Sequence, residues 1–237
     1  MTTWETYESK HYIFNYEKNS YAKRYINEIS VIQEKCYLEI IKTLNIEFKK
    51  KIEYFLCSTP EMVGFLYGDN EPCNGLAVEP NKIYAVYNEE VKCIGIHEDA
   101  HIISYSIGHP NSAALREGFA MYFDKGWWNI SNYDCCKLYL ENDTYCSVID
   151  LINNDIFYEI PCEISYPIMG AFTAYLIEKF GIDKYIEFYK NTKEISNLEI
   201  GKIFEMSLTE LEINFKTFIK NLPYKKDKNI IIKALIK

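Results

Sequence analysis

GIHEDAHIISYSIGHPNSAALREG, residues 95–118, is the stretch on which the reading of this chain turns. It opens with His97, Glu98 and His101 in the pattern HExxH, on a segment whose apolar content predicts a helix. Two histidines four apart differ by about 40° around a helix axis, so both imidazoles leave the same side and can share one tetrahedral metal ion such as zinc. Glu98 lies about 100° from His97, off the ligand direction but beside an open coordination position, where a general base belongs. The competing reading is a chance pair of surface or core histidines. With only 4 histidines in the chain, such a match arises on the order of once in a few hundred sequences of ordinary composition.

A catalytic zinc needs a third protein ligand. The metzincin pattern requires glycine at 104 and histidine at 107, but those positions hold Ser104 and Ile107, and His109 comes two residues late. A cysteine ligand of the deformylase kind points to Cys93. On a continuous helix, residues 93 and 101 are about 12 Å apart along the axis, too far for one ion. Glu117 remains. From His101 the first helix runs on about 10 Å to Gly108, Pro110 and Asn111 turn the chain, and a second helix climbs back about 8 Å by Glu117. Gly118 and Ala120 would let these two helices approach closely. The alternative for Glu117 is a solvated helix glutamate beside Arg116.

Upstream of this stretch, strand and helix alternate. Residues 10–16 (KHYIFNY), 51–57 (KIEYFLC), 75–80 and 83–87 predict strands. Asn19 or Ser20 caps a long helix with apolar positions at Tyr25, Ile29, Ile32, Cys36, Ile40 and Leu44. Thr59 followed by Pro60 opens a short helix, and Asn88 starts the helix of residues 89–107. Downstream, helices are expected at 112–125, 132–141, 164–180 with Gly181 as its stop, 184–191, 197–205 and 208–221. Capping boxes at Ser196/Glu199 and Ser207/Glu210 support the last two. The tail from Pro223 predicts a packed strand or helix. The fold class is α+β in a single domain, 1–237, with an N-terminal α+β lobe over 1–108 and a helical lobe over 109–237.

HExxH followed by Leu115-Arg116-Glu117-Gly118-Phe119-Ala120 and then Tyr122 resembles the gluzincin clan of metallopeptidases, especially the peptidase MA-like proteins. The resemblance implies a zincin-like, thermolysin-like fold, with a mixed sheet, a backing helix, the active-site helix and then a helical lobe. It implies one zinc ion on His97, His101 and Glu117, with Glu98 as catalytic base. A tyrosine ahead of a glycine, here Tyr166 before Gly170, would stabilise the oxyanion. An edge strand at Gly75, Leu76, Ala77 and Val78 would receive an extended peptide or protein substrate. The clan's aminopeptidase motif is not evident, which favours endopeptidase or oligopeptidase action. A peptide-binding protein that keeps zinc with little turnover is the alternative function. A helical interaction domain with an accidental motif is the other.

Composition is compatible with this reading. The 237 residues are 48% hydrophobic and 25% charged, as in ordinary globular proteins. A formal charge of −8 argues against nucleic acid as partner. The start, MTTWETYESKHYIF, has neither a basic head nor an apolar run, so no secretory signal is expected. Nothing approaches 18 consecutive apolar residues, so no membrane span is expected. The 8 cysteines show no repeated spacing and predict reduced thiols in a cytoplasmic protein.

Overall fold

Tyr12, Phe14 and Tyr16 alternate with half-buried residues along one strand, and this period-two pattern places an aromatic row at the heart of a sheet. The computed structural model describes residues 3–192 and 197–235. The protein is mixed α+β and divides into two compact units, Met1–Ser106 and Ile107–Lys237.

The first unit holds β1 (Trp4–Glu8), β2 (Tyr12–Glu17), α1 (Tyr21–Leu44), β3 (Ile52–Cys57), α2 (Pro60–Tyr67), β4 (Gly75–Val78), β5 (Lys82–Val86) and α3 (Ile96–Tyr105). Its five-stranded sheet has the order β1-β2-β3-β5-β4. The three central strands are parallel, and the two edge strands, β1 and β4, run antiparallel to their neighbours. Ser20 Oγ caps α1 by accepting from the backbone N–H of Lys23 at 3.3 Å. Thr59 Oγ1 does the same for Met62, also at 3.3 Å, with Pro60 in the first turn of α2. Both caps satisfy N–H groups that a helix start leaves without intrahelical partners.

Two expectations need correction here, and one strand had no reading from the sequence. Strand β1 has only Trp4 and Tyr7 as large apolar residues and is half-buried, so its pairing with β2 defines it more than its own pattern does. The buried stripe of α1 keeps Ile29, Ile40 and Leu44 but turns to include Gln33 and Tyr37, while Ile32 is 43% exposed. Tyr37 earns its burial by stacking on His11 at 3.9 Å and donating to Phe48 O at 2.8 Å. The helix expected over 89–107 begins only at Ile96. Asn88 Oδ1 accepts from the N–H groups of Glu90 (2.9 Å) and Val91 (2.7 Å), a local turn that competes with helix. Beyond it Lys92 bridges back to Tyr87, and Gly95 takes a φ of 139° that other residues rarely adopt.

The second unit contains α4 (Ala113–Asp124), a hairpin of β6 (Gly126–Trp127) and β7 (Ile130–Ser131), then α5 (Asn132–Glu141), α6 (Val148–Leu151), α7 (Asn154–Phe157), α8 (Cys162–Phe180), α9 (Ile182–Asn191), α10 (Asn197–Phe204), α11 (Leu208–Asn221) and α12 (Lys228–Leu235). The Ser207/Glu210 capping box is formed, with Glu210 N–H donating to Ser207 Oγ at 3.2 Å and Ser207 N–H to Glu210 Oε2 at 2.8 Å. The box expected at Ser196 and Glu199 lies outside the described residues. Pro167 interrupts the hydrogen bonding of α8, because it has no N–H to offer the carbonyl of Glu163. Tyr139 Oη donates to that carbonyl instead, at 2.6 Å. Gly118 packs within this unit, between α4 and α8. A Cβ there would meet Met169 O and Thr173 Oγ1, each at 2.9 Å, so this glycine admits the backbone of α8 against α4. Among the described residues no helix is long and apolar enough to cross a membrane.

Candidate metal centre

Helix α3 carries its residues on three faces with different chemistry. His97 and His101 project to one side, with ring centroids 4.9 Å apart and planes at 78°. Tyr105, one turn on, stacks with His101 at 5.9 Å. Ala100, Ile102, Ile103 and Ser104 are buried.

Asp99 points the opposite way, about 180° from the midpoint of the two histidines by helix geometry. It is fully buried. Its Oδ2 contacts Tyr12 Oη on β2 and accepts from Gln33 Nε2 on α1 at 3.1 Å. Gln33 Nε2 also lies 3.0 Å from Gly95 O, at the start of α3, and 3.2 Å from Tyr54 Oη. Burial pushes the Asp99 carboxyl well above the usual carboxylate range, against hydrogen bonds from Tyr12 and Gln33 that favour the ionised form. Burial, then the nearby Asp99 charge, pushes Tyr12 and Tyr54 up as well. Asp99 stands out in sequence only as an acid on an otherwise apolar helix face, and its partners Tyr12 and Gln33 carry no motif at all.

Glu98 faces the edge strand. A Cβ added to Gly75 would stand 2.9 Å from Glu98 Oε1 and 2.7 Å from Cys93 Sγ, so both side-chain ends occupy the space that this glycine leaves open. Burial, with the charges of Asp69 and Glu98, raises the thiol of nearby Cys73. Leu76, Ala77 and Val78 continue β4, which pairs with β5 from Gly75↔Ala85 to Val78↔Lys82 and forms one edge of the sheet. Cys93 precedes α3 rather than riding on it, so helical rise does not set its distance from His101.

Glu117 lies on α4, half-buried, after a turn in which Arg116 Nη1 donates to Pro110 O at 2.6 Å and Asn111 O at 2.9 Å. His97, His101 and Glu117 form a group that could hold a metal ion. Each offers one ligand atom, and these atoms lie within 4.8 Å of one another. A tetrahedral ion with ligands at about 2.1 Å keeps its donor atoms about 3.4 Å apart. Two imidazoles and a carboxylate are a donor set that suits zinc and leaves a fourth position open.

Tyr166 lies on α8 among aromatic rings, edge-on to Trp127 at 5.9 Å and stacked on Phe157 at 5.9 Å. With Phe157, Tyr158 and Ser165 it lines a cavity of about 320 Å³. Trp127 and Trp128 line a second cavity of about 550 Å³, Trp128 being 73% exposed at the tip of the β6–β7 hairpin. No protein-family model matches the chain, and a search of curated proteins returned no match.

Proposed function

We propose that the chain is a zinc-dependent hydrolase whose metal is held by His97, His101 and Glu117. Within that class the reading supported best is a peptidase of the gluzincin type, acting on internal bonds of peptides or proteins. The observation that carries it is the grouping of those three ligand atoms within 4.8 Å, together with Glu98 between the two histidines in sequence and off their face. Bound zinc would lower the pKa of a water toward about 7 and polarise a carbonyl oxygen. Glu98 takes a proton from the attacking water and delivers it to the leaving amine. Its carboxylate stands against Gly75, the first residue of β4. β4 is an edge strand of the sheet, and its main-chain N–H and C=O groups would align an extended substrate by strand addition. Tyr166 supplies a hydrogen bond to the developing oxyanion.

Recognition by main chain puts little constraint on substrate side chains, so a mixed peptide pool is the right probe. Purified protein should contain about one zinc per chain and cleave the pool, with cleavage lost on chelation and restored by zinc. Protein that holds zinc but cleaves nothing is a zinc-containing peptide-binding protein, and protein without stoichiometric zinc refutes the metal centre itself.

A further inference from the structure

The face of α3 turned away from the histidines is where a helix in a packed unit ordinarily places apolar residues, and Ile102 and Ile103 do so. Asp99 interrupts that face with a fully buried carboxyl. Burying an acid costs stability unless it is hydrogen-bonded, and here Tyr12 and Gln33 supply partners to the carboxyl. The hydrophobic drive that buries apolar residues is non-directional. Hydrogen bonds are directional. The Asp99 carboxyl is gripped from two elements at once, by Tyr12 on β2 and Gln33 on α1. Tyr12 Oη is also 2.9 Å from Gln33 O, and Gln33 Nε2 reaches Gly95 O at 3.0 Å. One network therefore holds the helix at its N-cap residue and at its back.

We propose that Asp99 is a positioning residue for the metal-binding helix: through Tyr12 and Gln33 it fixes the rotation of α3 and thereby the direction of His97 and His101. The inference rests on the metal reading above. Its lever is geometric. An imidazole nitrogen lies about 5–6 Å from the helix axis, so a 10° rotation of the helix moves it by about 1 Å. Metal sites hold their ligand distances to within about 0.2 Å. A network on the far side of the helix can therefore set metal affinity without touching a ligand.

The test uses the full chain and three variants, Tyr12→Phe, Asp99→Leu and Asp99→Asn. Zinc affinity is read by competition with a chromogenic chelator, ligand geometry by the visible spectrum of the cobalt(II)-substituted protein, and stability by thermal melting. Tyr12→Phe and Asp99→Leu should weaken zinc by about 10–100-fold, the range typical of outer-shell changes, and should alter the cobalt spectrum well below the melting temperature. Asp99→Asn keeps an acceptor and a donor in place and should restore near-wild-type affinity and spectrum. If Asp99→Leu does not fold, Tyr12→Phe, which removes one oxygen from β2 and changes nothing on α3 itself, carries the test. Variants that melt earlier yet match wild type in affinity and spectrum overturn the positioning role alone. Wild-type protein that binds no zinc overturns both this inference and the metal reading.

Discussion

Replacing Gly75 with alanine perturbs the proposed base without touching it in sequence. The new Cβ would stand 2.9 Å from Glu98 Oε1 and 2.7 Å from Cys93 Sγ, whereas carbon atoms pack at about 3.5–4.0 Å. Glu98 must therefore retreat by roughly 0.5–1 Å. Both offending atoms are ends of side chains, so they can move while the backbone of β4 stays in place. Alanine also removes the entropic penalty of glycine in a strand, about 0.5–1 kcal/mol, which offsets the local strain. Melting temperature and zinc content should accordingly remain close to wild type. Catalysis should not, because a misplacement of about 1 Å costs on the order of 10²-fold. We expect kcat on a peptide substrate to fall about 10–100-fold with KM little changed. Cys93→Ala in the same background relieves only the sulfur contact and should leave the defect in place. A folded, zinc-loaded Gly75→Ala protein with wild-type kcat would refute the placement of Glu98 as base.

Glu117→Ala should lower zinc affinity sharply while circular dichroism shows helical content nearly intact; wild-type affinity in that variant removes Glu117 from the metal centre. Tyr166→Phe should depress kcat by about 10²–10³ with KM and zinc content little changed, as for loss of one oxyanion donor, and normal turnover would take that role from Tyr166. Glu34 gives a pH-dependent test. Burial opposes its ionisation, but hydrogen bonds from Ser9 (2.7 Å) and from the His11 N–H (2.8 Å) and ring prevail and hold its pKa below the ordinary 4.5. A depressed carboxylate contributes stability that is fully present above the unfolded value and lost as pH falls through the folded one. Thermal melts of Glu34→Gln should thus lie below wild type at neutral pH and converge with it as pH drops below 4.5; a gap that is constant with pH contradicts this.

Much of the first unit is legible in its residue pattern because its signals are local. Alternating aromatics mark β2, Thr59-Pro60 marks the start of α2, and the spacing of His97 and His101 places their rings side by side. What the sequence hides is set by tertiary pairing. Strand β1 exists through its partner β2, since Trp4 and Tyr7 alone make a weak pattern. Residues 89–95 carry acids suited to a helix start, but the Asn88 turn and the Tyr87–Lys92 bridge draw them into a loop. Gln33 would be assigned to solvent by polarity, and it is buried because Asp99, 66 residues away, needs its amide. The candidate centre divides in the same way. The histidines follow from helical period, Glu117 depends on how a turn returns the chain, and the Asp99 network is visible only once β2, α1 and α3 are packed together.

The most direct test of the central claim compares wild type with Glu98→Gln for zinc content and peptide cleavage in parallel. Glutamine keeps the shape and a hydrogen bond but cannot accept the proton. The account predicts about one zinc per chain in both proteins, and cleavage in the variant reduced by ~10²–10⁴, as for removal of a general base. A Glu98→Gln protein that retains zinc and cleaves peptides as fast as wild type would contradict it.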